Sequence, residues 1–104
     1  MTTSNNNADW VVYLIRNKNN ALYCGITNNL ERRFEQHQQG KGAKALKGKG
    51  PLALVWSFSV GSKSEALKTE YAIKQLPKSR KEELVSLKLI IEWQEGKILY
   101  IEVS

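Results

Sequence analysis

Two extended apolar runs near the start of the chain, separated by a short polar segment, constrain the fold more than any other feature. Residues 10–16 read WVVYLIR, and an extended pattern resumes over residues 21–27. The first run is apolar on both alternating faces, which is typical of a strand that is covered on both sides. Three of the four residues between the runs are asparagine, a favoured turn residue, so the sequence predicts a β-hairpin.

A helix and a third strand are predicted to follow the hairpin. Asn28 or Asn29 can cap a helix that runs to about Gln39, with Gly40 at its end. From residue 52 to residue 60, large apolar side chains occupy every even position, so this segment is the clearest strand in the chain.

The last third of the chain predicts two more helices and a terminal hairpin. Ser62 and Glu65 have the spacing of a capping box, and Pro77 stops the helix that they open. The same spacing at residues 79–82 predicts a third helix that ends at about residue 87 or 89. Residues 95–97 read EGK between two apolar runs, which suggests a small hairpin.

These elements predict one small α/β (α+β) domain. Its order is ββαβαα with a C-terminal hairpin, and helices flank an antiparallel-containing three-stranded sheet. A chain of 104 residues is one domain. We expect a disordered polar tail over residues 1–9, the domain over residues 10–90 and a C-terminal extension over residues 91–104.

Composition points to a cytoplasmic, monomeric protein with a polyanionic partner. No apolar run approaches the roughly 20 residues that span a membrane, and the polar N-terminus lacks the features of a signal peptide. The formal net charge is +6, and residues 30–50 carry six bases against two acids. Such a basic segment favours nucleic acid as the partner, although basic surfaces also serve solubility.

Two polar residues of the first helix lie at an unexpected helical phase. At 100° per residue, Arg33 and His37 border the apolar stripe formed by Leu30 and Phe34. A guanidinium at the margin of a buried face needs an anion or an open cleft. The alternatives are an arginine at the rim whose stem covers the core, and a histidine packed at the edge with a hydrogen-bond partner.

Glu70 stands out in the second helix for the same reason. Its phase places it within an apolar arc that includes Leu67, Tyr71 and Ile73. A carboxylate at such a position is unfavourable unless it pairs with a positively charged group. A structural pair with Lys74, four residues on, and a metal ligand or arginine partner in a cleft both satisfy that requirement.

The segment from Gly40 to Gly50 combines basic side chains with glycine. Such a loop can grip phosphates by charge and by exposed backbone N–H groups, or it can be a mobile, solvated loop. The candidate nucleic-acid-binding residues are its four lysines, Lys41, Lys44, Lys47 and Lys49.

The combined motifs resemble those of the GIY-YIG nuclease family. Val11-Val12-Tyr13 and, after an interval, Tyr23-Cys24-Gly25 resemble the two-part signature. Arg33 stands eight positions after Gly25, where the family has its catalytic arginine, and residues 64–70 resemble the segment that supplies its acidic metal ligand. The match is greatest with the small, stand-alone bacterial members; larger relatives act in intron homing and excision repair of DNA.

The resemblance implies a metal-dependent endonuclease that cleaves DNA, with RNA as an alternative substrate, and with low sequence specificity or selectivity for DNA structure. Glu70 would hold one divalent metal, Mg²⁺ or Mn²⁺, and Arg33 would stabilise charge on the phosphate in the transition state. Tyr13 or Tyr23 would orient or help to deprotonate the attacking water, and His37 would assist.

Three departures from the family pattern support a second hypothesis, a catalytically weak or inactive nucleic-acid-binding module. Val11 replaces the first motif glycine, Cys24 is at the centre of the second motif, and Ile26 stands where many relatives have lysine. The chain also has no recognition domain like that of the larger relatives, so a recruiting protein is compatible with either hypothesis.

The register of the predicted hairpin decides whether the two tyrosines can cooperate. A two- or four-residue turn would place Tyr13 opposite Cys24 and direct Tyr13 and Tyr23 to opposite faces of the sheet. A bulge or an odd-length loop would bring them to one face. The sequence leaves both arrangements open.

Overall fold

The computed structural model describes residues 9–103 and confirms the predicted α+β fold with the order ββαβαα followed by a hairpin. Residues 1–8, most of the expected polar tail, lie outside this range. Within it, no helix is both long enough and apolar enough to cross a membrane. The elements are β1 (Trp10–Arg16), β2 (Leu22–Thr27), α1 (Leu30–Gln38), β3 (Ala53–Val60), α2 (Lys63–Gln75), α3 (Lys78–Val85), β4 (Leu89–Gln94) and β5 (Lys97–Glu102).

The sheet is antiparallel, with strand order β2-β1-β3, and its central strand is covered on both sides as predicted. Val12 and Leu14 face the larger core cluster, to which α2, α3 and β4 contribute. Tyr13 and Ile15 face the other way, against Leu46 and the apolar side of α1. All four side chains of residues 12–15 are fully buried, so β1 anchors both layers.

A five-residue turn, residues 17–21, sets the register of β1 and β2. Arg16 pairs with Leu22 at the end of the ladder, and Tyr13 consequently pairs with Gly25. The side chain of Asn17 closes the turn by accepting N–H bonds from Asn19 and Ala21 at 2.8 and 3.1 Å. Because paired residues point to one face and the side-chain period is two, both tyrosines lie on the same face. The odd-length alternative is therefore the one that the chain adopts.

The third helix differs from the prediction at both ends. It begins at Lys78, with Pro77 at the N-cap position and without a side-chain cap, so Ser79 lies inside the first turn. Proline can open a helix because it has no N–H to satisfy. The helix ends at Val85, before the predicted residue 87, since Leu87 adopts a positive φ of 63° and the chain turns into β4.

The exposed face of α2 also differs from the prediction. Leu67 and Tyr71 are 48 % and 70 % exposed, so they form no buried apolar arc with Glu70. The buried side of the helix is instead lined by Ala66, Thr69 and Ile73. Glu70 lies at the margin between the two sides, with 19 % of its side chain exposed.

The lysine-rich loop is packed and not merely solvated. It contains a short 3-10 segment, Lys44–Leu46, and Leu46 is buried against β1 and α1. The backbone N–H of Lys18 donates to the carbonyl of Lys49 at 2.9 Å, which ties the loop to the turn between β1 and β2. This face of the sheet is therefore covered by α1 and the loop together.

The C-terminal hairpin contributes to the larger core through β4. Leu89 and Ile91 are buried there, and Trp93 packs at the edge of the same cluster. The indole N–H of Trp93 donates to Oγ1 of Thr69 at 2.9 Å, and that hydroxyl donates to the carbonyl of Glu65 at 2.8 Å. Thr69 is fully buried, so this bond joins the hairpin to α2 at the residue beside Glu70.

Replacement of Thr69 by valine should lower the free energy of unfolding by about 1 to 3 kcal/mol, because the shape is kept while the indole N–H loses its acceptor. Urea unfolding followed by circular dichroism measures the change. Ser64→Ala, at an exposed position of the same helix, is the matched control and should stay within about 0.5 kcal/mol of the wild type. Equal effects of the two substitutions would contradict the role of the bond.

Candidate active site

Three aromatic side chains meet on the face of the sheet that α1 covers. The ring centroids of Tyr13, Tyr23 and His37 lie 5.6 to 6.4 Å from one another. The hydroxyl oxygen of Tyr13 lies 2.8 Å from Nε2 of His37, and His37 is only 2 % exposed. The structure thus brings together three of the residues that the sequence marked as candidates.

Gly25 makes room for the ring of Tyr13. A β-carbon at this position would lie 2.5 Å from the hydroxyl oxygen of Tyr13 and 2.7 Å from Cζ, and 3.1 Å from the ring of Tyr23. Any side chain would therefore displace at least one tyrosine. The motif glycine is needed here for close approach rather than for an unusual backbone conformation.

The loop holds the imidazole of His37 from its other side. The backbone N–H of Ala43 donates to Nδ1 at 3.3 Å, which assigns the ring proton of the neutral form to Nε2. His37 therefore donates to the hydroxyl oxygen of Tyr13. A β-carbon on Gly42 would meet Nδ1 at 2.1 Å, so the loop depends on glycine there. The sequence analysis did not single out Gly42 or Ala43 as site residues. The glycine content of the loop was the one feature of the sequence that pointed to a close backbone approach there.

Burial keeps all three aromatic groups uncharged near neutral pH. It lowers the pKa of His37 below its ordinary 6.5, and nearby Arg33 adds to that effect. Burial and then the neighbouring Tyr23 raise the pKa of Tyr13 to about 12, although Arg33 opposes them. The pKa of Tyr23 is also raised, mainly by burial. The neighbours therefore do not activate either tyrosine as a base.

Arg33 stands beside this cluster on α1. Its positive charge lowers the pKa of Tyr13, against the larger effect of burial. Its guanidinium donates to Oε1 of Gln36 at 3.1 Å. The helix starts where the sequence predicted, because the side chain of Asn29 accepts the N–H of Arg32. Because α1 begins at this position, Arg33 lies on the side of the helix that faces the sheet.

Glu70 lies on α2, which packs beside the edge strand β2. Its carboxylate pairs with Lys74 at 3.2 Å, and both charges influence the pKa of Tyr23. Both sequence interpretations of Glu70 thus keep support, since the Lys74 pair forms and the carboxylate is near the aromatic cluster. Among residues 9–103, no three His, Cys, Asp or Glu side chains cluster in a way that could hold a metal ion.

A single carboxylate is still compatible with a hard divalent cation. Mg²⁺ keeps several waters and is commonly bound by one or two carboxylates together with the phosphates of its substrate. The partly exposed Glu70 offers one such oxygen ligand. The donor set therefore fits a metal that binds with a phosphate group, and it does not fit a closed, all-protein metal centre.

The loop lysines flank the cluster. Lys41, Lys44 and Lys47 are exposed, and Lys49 is half-buried. Lys41 and Lys44 directly adjoin Gly42 and Ala43, the residues that contact His37. The buried Leu46 holds this segment against the sheet, so its charge is presented near the tyrosines.

Two of the departures from the family motif lie away from this cluster. Cys24 and Ile26 point to the opposite face, where both pack in the larger core cluster. Burial raises the pKa of the Cys24 thiol to about 12, so it is an inert core group. Val11, at the third departure, pairs with Thr27 at the far end of the β1–β2 ladder.

Comparison with known proteins decides the family. The family model described as the GIY-YIG catalytic domain matches residues 9–83, more than half of the chain. The chain belongs to the GIY-YIG family. This is a family of nucleases, whose members generally use a divalent metal and act on nucleic acid.

The GIY-YIG domain described here is similar to small bacterial proteins. It is 62 % identical over 93 residues to UPF0213 protein VPA1222 of Vibrio parahaemolyticus, covering 89 % of this chain and 88 % of the relative. It is 60 % identical over 77 residues to UPF0213 protein YhbQ of Escherichia coli, covering 74 % and 77 %.

A solved structure also matches this GIY-YIG domain. The solution NMR structure of UPF0213 protein BH0048 from Bacillus halodurans aligns with a TM-score of 0.51 and 42 % identity, covering 77 % of this chain and 85 % of that one. The small, stand-alone bacterial relatives expected from the motifs are therefore confirmed.

Gly25→Ala should destabilise the fold by about 2 kcal/mol, because the added methyl group overlaps the hydroxyl of a fully buried tyrosine. Urea unfolding measures the change. Gly61→Ala is the matched control, since its β-carbon meets only the flexible end of Glu65, at 3.3 Å. An unchanged stability of Gly25→Ala would show that the site tolerates a side chain at the motif glycine.

The sole histidine should titrate below pH 6.5, because its pKa is lowered in the folded state. A folded-state pKa below the unfolded value means that the unfolded chain binds the proton first. The contribution of neutral His37 to the free energy of unfolding is therefore fully present above about pH 6.5 and is lost as the pH falls below it. An NMR titration of the His37 Cε1–H signal checks the midpoint, and a value at or above 6.5 would contradict the buried, neutral assignment.

Proposed function

We propose that this GIY-YIG domain is a metal-dependent endonuclease that hydrolyses phosphodiester bonds in DNA, with low sequence specificity or selectivity for DNA structure. The observation that carries the proposal is the hydrogen bond of 2.8 Å between Tyr13 and His37, with Arg33 beside it, over the motif glycine. The proposal is supported because the residues in contact are those that the family resemblance assigns to the site.

The proposed roles follow from the protonation states. His37 donates its Nε2–H to the hydroxyl oxygen of Tyr13, and the positive charge of Arg33 lies nearby. Tyr13 is then left with its own O–H. Because its side chain is only 1 % exposed, this group can donate to a phosphate oxygen or to the attacking water only when substrate binding opens this face. With pKa values raised, Tyr13 and Tyr23 orient these groups and do not remove the proton from water at neutral pH.

Arg33 is the proposed electrostatic element for the phosphate, since guanidinium geometry matches phosphate oxygens. Glu70 is the proposed ligand of one Mg²⁺ or Mn²⁺ ion, for which it must exchange its pair with Lys74. A bound divalent ion supplies neutralisation of the charge on the phosphate and on the leaving oxygen. The four loop lysines are proposed to hold the backbone of the nucleic acid near the site.

A second function, nucleic-acid binding with little or no catalysis, has support from two observations. Glu70 is already paired with Lys74, and neither tyrosine has a lowered pKa. This alternative requires salt-sensitive binding through Lys41, Lys44 and Lys47 that does not depend on a divalent metal.

Cleavage of labelled duplex, flap, branched and single-stranded DNA, and of RNA, in Mg²⁺, Mn²⁺ or EDTA tests the proposal. We expect metal-dependent cutting that Glu70→Ala abolishes and that Arg33→Ala slows by about 10² to 10³. Glu92→Ala, which removes an exposed acid of β4, is the matched control and should cut like the wild type.

Two outcomes separate the functions. Binding without cutting of any substrate would support the non-catalytic module. Equal cutting by wild type, Glu70→Ala and Arg33→Ala would show that the assigned residues are wrong or that another nuclease is present in the preparation. Purification of the wild type and the variants in parallel controls for a contaminating nuclease.

A further inference from the structure

A polar cavity lies at the junction of β2 and α1, on one side of Arg33. It has a volume of about 220 Å³ and lacks an acidic lining residue. That volume is below the roughly 300 Å³ at which pockets for whole small-molecule ligands begin, so it suits a single charged group with part of its attached sugar. The lining residues are Thr27, Asn28, Asn29, Arg32, Arg33 and Gln36.

The arginines of the described chain fall into two classes. Arg16 forms a bidentate pair with Glu82 at 2.7 Å, and Arg80 pairs with Glu83 at 2.6 Å. Over residues 9–103, the guanidinium groups of Arg32 and Arg33 make no such pair, although both lie on a helix with two glutamates. The two arginines that line the cavity are thus the two that form no ion pair within the described residues, so both can pair with an external anion.

The attraction of the cavity for an anion comes from these side chains rather than from the helix end. At the start of α1, Asn29 already accepts the N–H groups of Arg32 and Arg33, at 3.2 and 3.0 Å. The hydroxyl of Thr27 is also engaged, with the backbone of Asn29. The guanidinium of Arg32, which is exposed, supplies a free fork of donors.

Only one of the residues proposed to act on the reacting phosphate lines this cavity. Tyr13, Tyr23, His37 and Glu70 do not line it, whereas Arg33 does. A backbone that crosses Arg33 therefore has one phosphate on the side of the aromatic cluster and another within reach of Arg32.

We infer that the cavity is a subsite for a second backbone phosphate of the nucleic acid, with Arg32 as its principal ligand. The inference rests on the proposed function for the identity of the substrate. The subsite fixes the register of the strand across Arg33, because phosphate contacts position a nucleic acid without reading its bases. The subsite raises the affinity for the nucleic acid and positions its strand, whereas Arg33 and Glu70 remain the residues proposed for catalysis.

Binding of a fluorescent DNA oligonucleotide in EDTA, without cleavage, tests the subsite apart from catalysis. Arg32→Ala should raise Kd about tenfold and reduce the slope of log K against log salt by about 0.9. Lys97→Ala removes one exposed charge from the distant hairpin and should leave both values nearly unchanged. Arg32→Lys should restore the slope and only part of the affinity, since lysine lacks the fork.

A scan of oligonucleotides with one neutral methylphosphonate each identifies the phosphate. At one position the neutral linkage should weaken wild-type binding about as much as Arg32→Ala does, and it should add little in that variant. Equal effects of Arg32→Ala and Lys97→Ala, or additive losses at every methylphosphonate position, would overturn the subsite.

The same data keep the two proposals separate. Metal-dependent cleavage by the wild type, together with an effect of Arg32→Ala on DNA binding no larger than that of Lys97→Ala, would retain the nuclease and reject the subsite. A single coupled phosphate in EDTA, with no cleavage under any metal condition, would retain the subsite and reject the nuclease.

Discussion

The register between β1 and β2 is the constraint on which the site depends. A five-residue turn places Tyr13 opposite Gly25, and the tyrosine ring occupies the space that a side chain on Gly25 would fill. A slip of one residue would move Tyr23 to the other face and bury the site side chains among the apolar groups of the larger core. Asn17, which closes the turn, therefore matters to the pairing of Tyr13 and Gly25, because the register set at the turn holds along the whole β1–β2 ladder.

The sequence predicted most of what local patterns control. The element order, the start of α1 and the phase of Arg33 and His37 are confirmed, since each depends on the spacing of neighbouring residues. The parity of the turn could not be predicted, because asparagines suit turns of several lengths. The predicted apolar face of α2 was wrong for a different reason. Leu67 and Tyr71 have apolar spacing, but no element within residues 9–103 packs over them, and burial depends on what covers a face.

The aromatic cluster also explains why the lysine-rich loop is ordered. A buried imidazole requires partners for both nitrogens, and they come from different parts of the chain: Tyr13 on the sheet and the N–H of Ala43 in the loop. Leu46 adds apolar anchorage on the same side. The segment from Gly40 to Gly50, for which the sequence left open both phosphate binding and a mobile, solvated loop, thus packs against the aromatic cluster. Its lysines acquire fixed positions because Gly42 lets the backbone approach the ring.

The same register gives a physical account of Ile26, where many relatives have lysine. Ile26 pairs with Val12 and packs on the face of the larger core, so a lysine there would need an escape route or a partner among apolar groups. The opposite face carries six bases, which are Arg32, Arg33 and the four loop lysines. Arg16 and Arg80 form ion pairs with Glu82 and Glu83, whereas Arg32 and Arg33 on α1 form no such pair within the described residues. This difference supports the proposed nucleic-acid partner, and it does not depend on the residue at position 26.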